Sequence, residues 1–212
     1  MISIFGSKTK AQEILLLLDD AKDVVRQGFY ENELEAVEKF CRENGIFLVK
    51  SNFRVELEGS EYSNRGLRVP ADREGMFFVY LSKDELMANM AAYYEFKRDD
   101  RNLGLILGYP SCCVDFFCRN FSEKNANPVH KPTNPYTNLT KRNRDCVIIS
   151  HFPCSSECRK SIELAKKYLN VISKHDAKRA EEMMNLLGSN INPQGRDVKR
   201  RKPESDISKI FF

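Results

Sequence analysis

Five side chains that bind metals or react as nucleophiles fall in two short stretches of the sequence. The first stretch, GYPSCC, contains Cys112 and Cys113, and the second, HFPCSSEC, contains His151, Cys154 and Cys158. Cysteine thiolates and imidazole nitrogens are ligands that zinc prefers, and iron–sulfur clusters need three or four cysteines. The two stretches therefore predict one shared metal site.

In both stretches the cysteines follow a proline at the predicted start of a helix. The free N–H groups and the partial positive charge at a helix N-terminus favour the thiolate form of cysteine. Cys154 and Cys158 are four residues apart, so in a helix their sulfurs lie on the same side, within reach of one ion. We expect Cys112, Cys154 and Cys158 to be ligands, with Cys113 and His151 as alternatives for the fourth place.

Zinc is the metal that we expect, because histidine is available and no cluster-type run of cysteines is present. An iron–sulfur cluster is one alternative. Another is that no metal binds and that Cys154 and Cys158 form a disulfide in a dithiol redox protein. The remaining cysteines, Cys41, Cys118 and Cys146, stand among apolar residues and are predicted to pack in the core.

The composition is that of a globular protein without a membrane span. The chain has 212 residues, of which 42% are hydrophobic and 30% charged. Its apolar runs are too short for a transmembrane helix, and the run ILLLL (14–18) lacks the flanks of a secretory signal. We therefore predict a cytoplasmic protein without membrane contact, in which seven cysteines favour metal or thiol chemistry over structural disulfides.

The net charge of +4 is unevenly placed along the chain. The loop 119–145 has six basic and two acidic side chains, and its position beside the cysteines predicts contact with an anionic substrate or RNA. The residues that we expect to make this contact are Lys131, Lys141, Arg142 and Arg144.

Residues 189–212 form a second basic segment, with six basic and three acidic side chains. Its polar composition predicts a flexible tail. The apolar terminal sequence ISKIFF predicts that the tail binds a protein partner through Ile207, Ile210, Phe211 and Phe212.

Hydrophobic periodicity predicts a helix-dominated α+β fold with a small antiparallel sheet, in a single domain over residues 1–188. Helices over 8–28 and 31–44 make an N-terminal helical hairpin, and the Cys/His motif region covers 60–188. The other predicted elements are strands over 46–59, 75–82 and 146–153, and helices over 83–97, from Ser111 onwards and over 154–188.

The two cysteine stretches, extended to G-Y-P-x-C-C-x-x-F-F (Gly108–Phe117) and H-x-P-C-S-x-x-C-x-x-S (His151–Ser161), resemble the signature of a known family. It is an uncharacterised, mainly archaeal domain of unknown function, and the likeness extends over residues 60–175. The resemblance implies no particular reaction. It implies that the four cysteines and His151 belong to one site.

Three functions are compatible with these features. In an enzyme, the metal or a thiolate acts on an anionic or RNA substrate held by the loop 119–145. In a non-catalytic binding module, the metal is structural and the tail recruits a partner. In a dithiol redox protein, the thiols act without a metal. A structural zinc site is closed by four protein ligands, whereas a catalytic site leaves one position open.

Overall fold

The computed structural model describes residues 2–57, 66–122, 125, 127–189 and 191. Eight α-helices and four strands occur in these residues. In chain order they are α1 (Ile2–Phe5), α2 (Lys8–Leu18), β1 (Val24–Phe29), α3 (Glu31–Glu43), β2 (Phe47–Leu57), β3 (Gly66–Pro70), β4 (Met76–Ser82), α4 (Glu85–Phe96), α5 (Asp100–Ile106), α6 (Ser111–Asn120), α7 (Arg159–His175) and α8 (Ala177–Gly188). Two short 3-10 turns, Pro135–Thr137 and Arg142–Arg144, lie between α6 and α7.

The strands form one antiparallel sheet in the order β1-β4-β2-β3. Successive side chains of a strand point to opposite faces, and β4 follows this rule. Phe77, Val79 and Leu81 pack with residues of α1, α2 and α3, whereas Tyr80 packs on the other face with residues of α4 and α5. The helix-dominated α+β fold with a small antiparallel sheet is therefore confirmed.

A third buried cluster lies beside the sheet layers and contains α7 and α8. Ile149, Tyr168, Ile172, Met183 and Leu187 are among its most buried members. Leu16 of α2 and the following Ala21 also belong to this cluster, while other residues of α2 pack against the sheet. Helix α2 thus joins the two parts of the core.

The N-terminal region differs from the predicted helical hairpin over 8–44. Helix α2 ends at Leu18, Asp20 adopts a left-handed backbone with φ of 54°, and β1 follows before α3 begins. The adjacent Val24 and Val25 belong to different buried clusters on opposite faces of the sheet. A strand buries two neighbouring apolar residues in this way, so the helical interpretation of residues 19–28 was wrong.

Two corrections concern the second cysteine stretch. Residues 146–153 form no strand, although Cys146, Val147, Ile148 and Ile149 are fully buried. The predicted helix 154–188 begins only at Arg159 and is divided at Asp176, whose side chain accepts a hydrogen bond from the backbone N–H of Arg179 and caps α8.

No helix among the described residues has both the length and the apolar character needed to cross a membrane. The predicted tail lies outside the described residues except for Ser189 and Ile191. Its proposed contact residues, Ile207 and Ile210 with the two terminal phenylalanines, are therefore not described.

Candidate metal centre

The first two cysteines are positioned by a sharp turn between α5 and α6. Gly108 adopts a positive φ of 76°, a conformation that glycine tolerates without steric cost. The backbone N–H of Tyr109 then donates to the carbonyl of Gly104 at 3.0 Å, which closes the end of α5. Pro110 immediately precedes α6, so Cys112 and Cys113 lie in its first turn.

Close packing of α5 against α6 fixes this turn. A Cβ atom built on Gly104 would lie 2.8 Å from Cγ2 of Val114, which is closer than two carbon atoms approach in folded proteins. The absence of a side chain at Gly104 therefore lets α6 approach α5 directly beside the cysteines.

The other two cysteines lie in the turn before α7. Residues 154–157 form bends and a turn, and Cys158 is the N-cap residue of α7. The N-termini of α6 and α7 therefore meet at the cysteines, and each brings the partial positive charge of a helix N-terminus towards the sulfurs. Cys158 occupies a helix start as predicted, whereas Cys154 lies one turn outside the helix.

The four sulfurs form a compact group, all within 4.8 Å of one another. The Sγ atoms of Cys112 and Cys113 are 3.9 Å apart, those of Cys112 and Cys158 3.8 Å, and those of Cys113 and Cys158 3.6 Å. Cys113 and Cys158 are buried, while Cys112 and Cys154 are half-buried. All four cysteines are free thiols, and together they could hold one metal ion.

These separations can be compared with those of a tetrahedral metal site. Zinc bound by four sulfurs at about 2.3 Å places the sulfurs about 3.8 Å apart. The three distances around Cys112, Cys113 and Cys158 match this spacing. In a [4Fe–4S] cluster each cysteine binds a different iron atom, and in a [2Fe–2S] cluster two cysteines bind each iron, so the cluster separates some or all of the sulfurs. The geometry therefore fits a single ion better than a cluster.

The thiols differ in their pKa values. Burial raises the pKa of Cys113, and burial together with the neighbouring sulfurs raises the pKa of Cys154 to about 11. Burial acts in the same direction on Cys158, but hydrogen bonds from Ser161 and the other thiols outweigh it and lower the pKa of Cys158 to about 7. Without a cation, negative charge in the cluster is therefore concentrated at Cys158, and four thiolates need a metal to coexist.

His151 lies next to the cysteines but outside the group of four sulfurs. Its Nε2 atom is 2.8 Å from Oγ of Ser161, and its ring packs on the ring of Tyr109 with centroids 5.1 Å apart. Burial, helped by the positive charges of Lys22 and Arg142, lowers the pKa of His151 to about 3. The imidazole is thus neutral at physiological pH and contacts a serine.

A buried polar network extends behind His151. Lys22 pairs with Glu13, and its Nζ atom also donates to Oγ of Ser150 at 3.2 Å. Ser150 in turn donates to Oη of Tyr109 at 3.3 Å. Lys22 and Glu13 are both at most 5% exposed, so this ion pair belongs to the interior beside the site.

The residues predicted to hold an anion have different environments. Lys131 and Arg144 are exposed, and Lys141 and Arg142 are half-buried. The guanidinium of Arg142 donates to the carbonyl of Ser150 at 3.3 Å and lies over the ring of Phe152. The guanidinium of Arg142 therefore makes contacts within the protein, whereas Lys131 and Arg144 are exposed to solvent.

Three residues of the site were not assigned a role from the sequence: Ser161, Tyr109 and Lys22. Ser161 follows Cys158 by three residues, a spacing that brings side chains together at a helix start. Tyr109 follows Gly108 within the first stretch, and Lys22 is distant in sequence from both cysteine stretches. Cys118 also differs from the prediction, since it is exposed on α6, whereas Cys41 and Cys146 are buried as predicted.

Comparison with known proteins gives one family. A family model described as "Protein of unknown function (DUF483)" matches residues 83–188, which is half of the chain. The matched region contains the four clustered cysteines, His151 and Ser161. No curated protein and no solved structure matches the chain.

Proposed function

Because the chain belongs to a family described as proteins of unknown function (DUF483), we propose its function from the site itself, as a non-catalytic module stabilised by one metal ion. The ion is zinc, and its ligands are Cys112, Cys113, Cys154 and Cys158. Cys113 takes the fourth place, and His151 supports the site without binding the metal.

The spacing of the sulfurs is the observation that carries this proposal. The three Sγ pairs among Cys112, Cys113 and Cys158 are separated by 3.6 to 3.9 Å, the spacing of ligands on one tetrahedral ion, and Sγ of Cys154 lies within 4.8 Å of all three. Four-cysteine sites of this kind are typical of structural zinc, because the protein fills every position of the tetrahedron. A catalytic zinc keeps one position for water or substrate.

The ion would connect elements that are distant in sequence. Cys112 and Cys113 belong to α6, and Cys154 and Cys158 belong to the turn that leads into α7. A metal bound by all four holds the two helix starts together and supports the core cluster behind them. The contribution of the site is therefore to stability and to the shape of the surface around it.

Metal analysis tests the proposal most directly. Protein purified without oxygen is expected to contain one zinc ion per chain and no visible absorption band. Replacement by Co²⁺ is expected to give the absorption of a tetrahedral thiolate complex. Protein without any bound metal would contradict the proposal. A visible absorption band of iron would show that the bound metal is iron and not zinc.

Cysteine variants test the ligand assignment. Cys113→Ser is expected to weaken zinc binding by at least about 100-fold, because a ligand counts for more than the hydrogen-bonding groups around it. Cys118→Ser, on the same helix but exposed, is the matched control and should bind zinc like the unchanged protein. A Cys113→Ser protein with unchanged zinc affinity would remove Cys113 from the ligand set.

Metal-free redox chemistry is the main rival to this function. The sulfurs of Cys113 and Cys158 are 3.6 Å apart, whereas a disulfide needs about 2.05 Å. Mass spectrometry of the protein after mild oxidation in the presence of zinc distinguishes a structural zinc site from a redox-active pair of thiols. Rapid formation of a disulfide with zinc present would favour the redox function.

We also propose that the module binds an anionic partner through the loop 119–145 and a protein through its tail. Support for the loop comes from the exposed Lys131 and Arg144. Reversal of these charges to Glu is expected to reduce RNA binding at low salt. The change Lys39→Glu, on the exposed surface of α3, is the control for each single reversal, because it alters the net charge by the same amount. An effect equal to that of Lys131→Glu or Arg144→Glu alone would exclude a specific role of the loop.

A further inference from the structure

Ser161 lies between a sulfur of the cluster and His151. Its Oγ atom is 3.2 Å from Sγ of Cys113 and 2.8 Å from Nε2 of His151. Ser161 is fully buried, and His151 is 4% exposed. A hydroxyl has one proton to donate and two lone pairs to accept, so the protonation of its two neighbours decides the direction of both hydrogen bonds.

A metal-bound cysteine is a thiolate and can only accept hydrogen bonds. With zinc in place, both Cys113 and Cys158 are thiolates that could accept the single proton of Ser161, and we assign it to Sγ of Cys113, which lies 3.2 Å from Oγ of Ser161. The oxygen of Ser161 is then left as an acceptor, and the contact with His151 can form only if Nε2 of the imidazole carries a proton. One arrangement of protons satisfies all three groups.

We propose that Ser161 and His151 form a hydrogen-bond relay that ends on the metal-bound sulfur of Cys113, with His151 held as the neutral Nε2–H tautomer. This inference rests on the function proposed above. It assigns His151 and Ser161 as positioning residues of the metal centre.

The relay has a physical purpose in the bound site. Zinc with four thiolates carries a net charge of about −2, which is costly in a buried environment unless hydrogen bonds stabilise the sulfurs. Cys113 is 1% exposed and is the most buried of the four cysteines. Its sulfur has a second hydrogen-bond donor, the backbone N–H of Cys154 at 3.4 Å. Ser161 and this N–H together stabilise the charge on Cys113.

The environment of His151 fixes its orientation for this task. The ring packs on the ring of Tyr109, whose hydroxyl accepts a hydrogen bond from Ser150. Ser150 in turn accepts a hydrogen bond from Lys22, which pairs with Glu13. The imidazole is thus anchored by contacts that do not involve the sulfurs. A ligand histidine would place a ring nitrogen among the sulfurs, whereas the group of candidate ligand atoms contains the four sulfurs without His151, and Nε2 contacts Ser161.

Zinc affinity measures the first half of the relay. Ser161→Ala is expected to lower zinc affinity by about 10- to 100-fold, the usual effect of removing a hydrogen bond to a metal ligand. Ser82→Ala is the matched control, because Ser82 is 1% exposed and donates to the carbonyl of Asp23 at 2.7 Å in another part of the protein. Equal zinc affinities of Ser161→Ala and Ser82→Ala would overturn the relay.

The Co²⁺ form gives a readout that loss of folding cannot imitate. Ser161→Ala should keep the tetrahedral absorption while the sulfur-to-cobalt band moves to lower energy, because a thiolate without its hydrogen bond releases electrons more easily. His151→Gln, whose amide N–H can replace Nε2–H, should behave like the unchanged protein, and His151→Leu should shift the band partly. An unshifted band in Ser161→Ala would contradict the proposal.

Nitrogen NMR of the zinc form tests the tautomer itself. The His151 signals, identified by their loss in His151→Gln, should show a protonated Nε2 and an unprotonated Nδ1. An unprotonated Nε2 would mean that Ser161 donates to His151 instead of Cys113, and it would overturn the relay while leaving the zinc site intact. An unchanged protein that binds no metal would overturn the proposed function and the relay together.

Discussion

Asp145 connects distant parts of the chain through a single carboxylate. Its backbone is left-handed, with φ of 53°, and its side chain accepts hydrogen bonds from Oγ of Ser7 at 2.8 Å, from the N–H of Thr9 at 2.9 Å and from the N–H of Lys8. These donors lie at the N-terminus of α2. A carboxylate that lies 138 residues after Ser7 in the sequence therefore completes the cap of this helix.

We predict that Asp145→Asn destabilises the protein by about 1 kcal/mol at neutral pH. Burial acts to raise the pKa of Asp145, but the hydrogen bonds from Thr9, Ser7 and Lys8 outweigh it and lower the pKa below its usual value. The stabilisation is thus fully present above about pH 4 and is lost as the pH falls through the lowered pKa of the folded state. Urea unfolding of both proteins at neutral and acidic pH measures it.

The control for this change is Asp20→Asn. Asp20 is also left-handed, with φ of 54°, but its carboxylate forms an exposed ion pair with Lys83 and caps no helix among the described residues. Its replacement should change the free energy of unfolding by less than about 0.5 kcal/mol. If the difference between Asp145→Asn and the unchanged protein were the same at acidic and neutral pH, the capping role of the charge would be disproved.

At the scale of elements, the contact between α5 and α6 determines where the first two sulfurs lie. Gly104 and Val114 form the close approach, and the cysteines of α6 come just before Val114 in the chain. A side chain at Gly104 would push α6 away from α5. Packing between two helices therefore controls the geometry of the candidate metal site.

We predict that Gly104→Ala destabilises the protein by about 1–3 kcal/mol, the usual cost of overpacking a filled interior. It should also weaken zinc binding, because the first turn of α6 must move. Gly188→Ala in α8 is the matched control, since a Cβ atom there meets nothing within 4 Å, and alanine should be neutral or slightly stabilising. Thermal unfolding of the two variants, followed by zinc titration, measures both effects; equal stability would show that α6 does not depend on this contact.

The sequence predicted some elements well and others poorly, for physical reasons. The strands β2 and β4 and their antiparallel pairing were predictable because Phe53, Val55 and the apolar run of β4 show strand periodicity. Strand β1 was missed because it follows an apolar helix with only a short break and is itself short. Residues 146–149 look like a strand because they are apolar and β-branched, but they are buried without a ladder partner.

The candidate site was partly predictable in the same sense. One shared site for four cysteines was predictable, because each pair follows a proline near a predicted helix start. These cysteines are Cys112, Cys113, Cys154 and Cys158. The choice between Cys113 and His151 depends on side-chain directions, which spacing alone does not give. The pair of adjacent cysteines illustrates this point, because their sulfurs lie only 3.9 Å apart at the start of α6.

At the scale of the whole molecule, the metal should stabilise one region more than another. We predict that removal of zinc by a chelator increases amide hydrogen exchange in α6 and in residues 154–162 by at least about 10-fold. Strands β1 and β4, which pair along the whole length of β1, should change little. Exchange followed by mass spectrometry measures both regions, and a uniform increase over the entire chain would show that the metal supports global rather than local structure.

The buried cluster around α7 and α8 includes residues that lie outside the region matched by the family model. Leu16 and Ala21 pack in the cluster of α7 and α8, and Arg179 donates to Oε1 of Gln12 at 3.0 Å. Lys22 also reaches into the polar network beside His151. The N-terminal part of the chain is therefore a structural component of the matched region.

We predict that a fragment of residues 83–188 does not unfold cooperatively, because it lacks these contacts and exposes the cluster of α7 and α8 to water. Circular dichroism during heating measures this. A fragment of residues 1–191, which lacks most of the predicted tail, is the control and should unfold like the full chain. Cooperative unfolding of 83–188 at the same temperature as the control would contradict the prediction.

The cap of α2 also bears on the order in which the protein is made. Helix α2 leaves the ribosome early, yet the carboxylate that completes its cap arrives only when residue 145 has been synthesised. Leu16 and Ala21 likewise become buried only after α7 and α8 have been synthesised, because they pack in the same cluster. Helix α2 is therefore among the last elements to reach its final environment, although it is made early, and the nascent chain depends on its C-terminal half to finish folding.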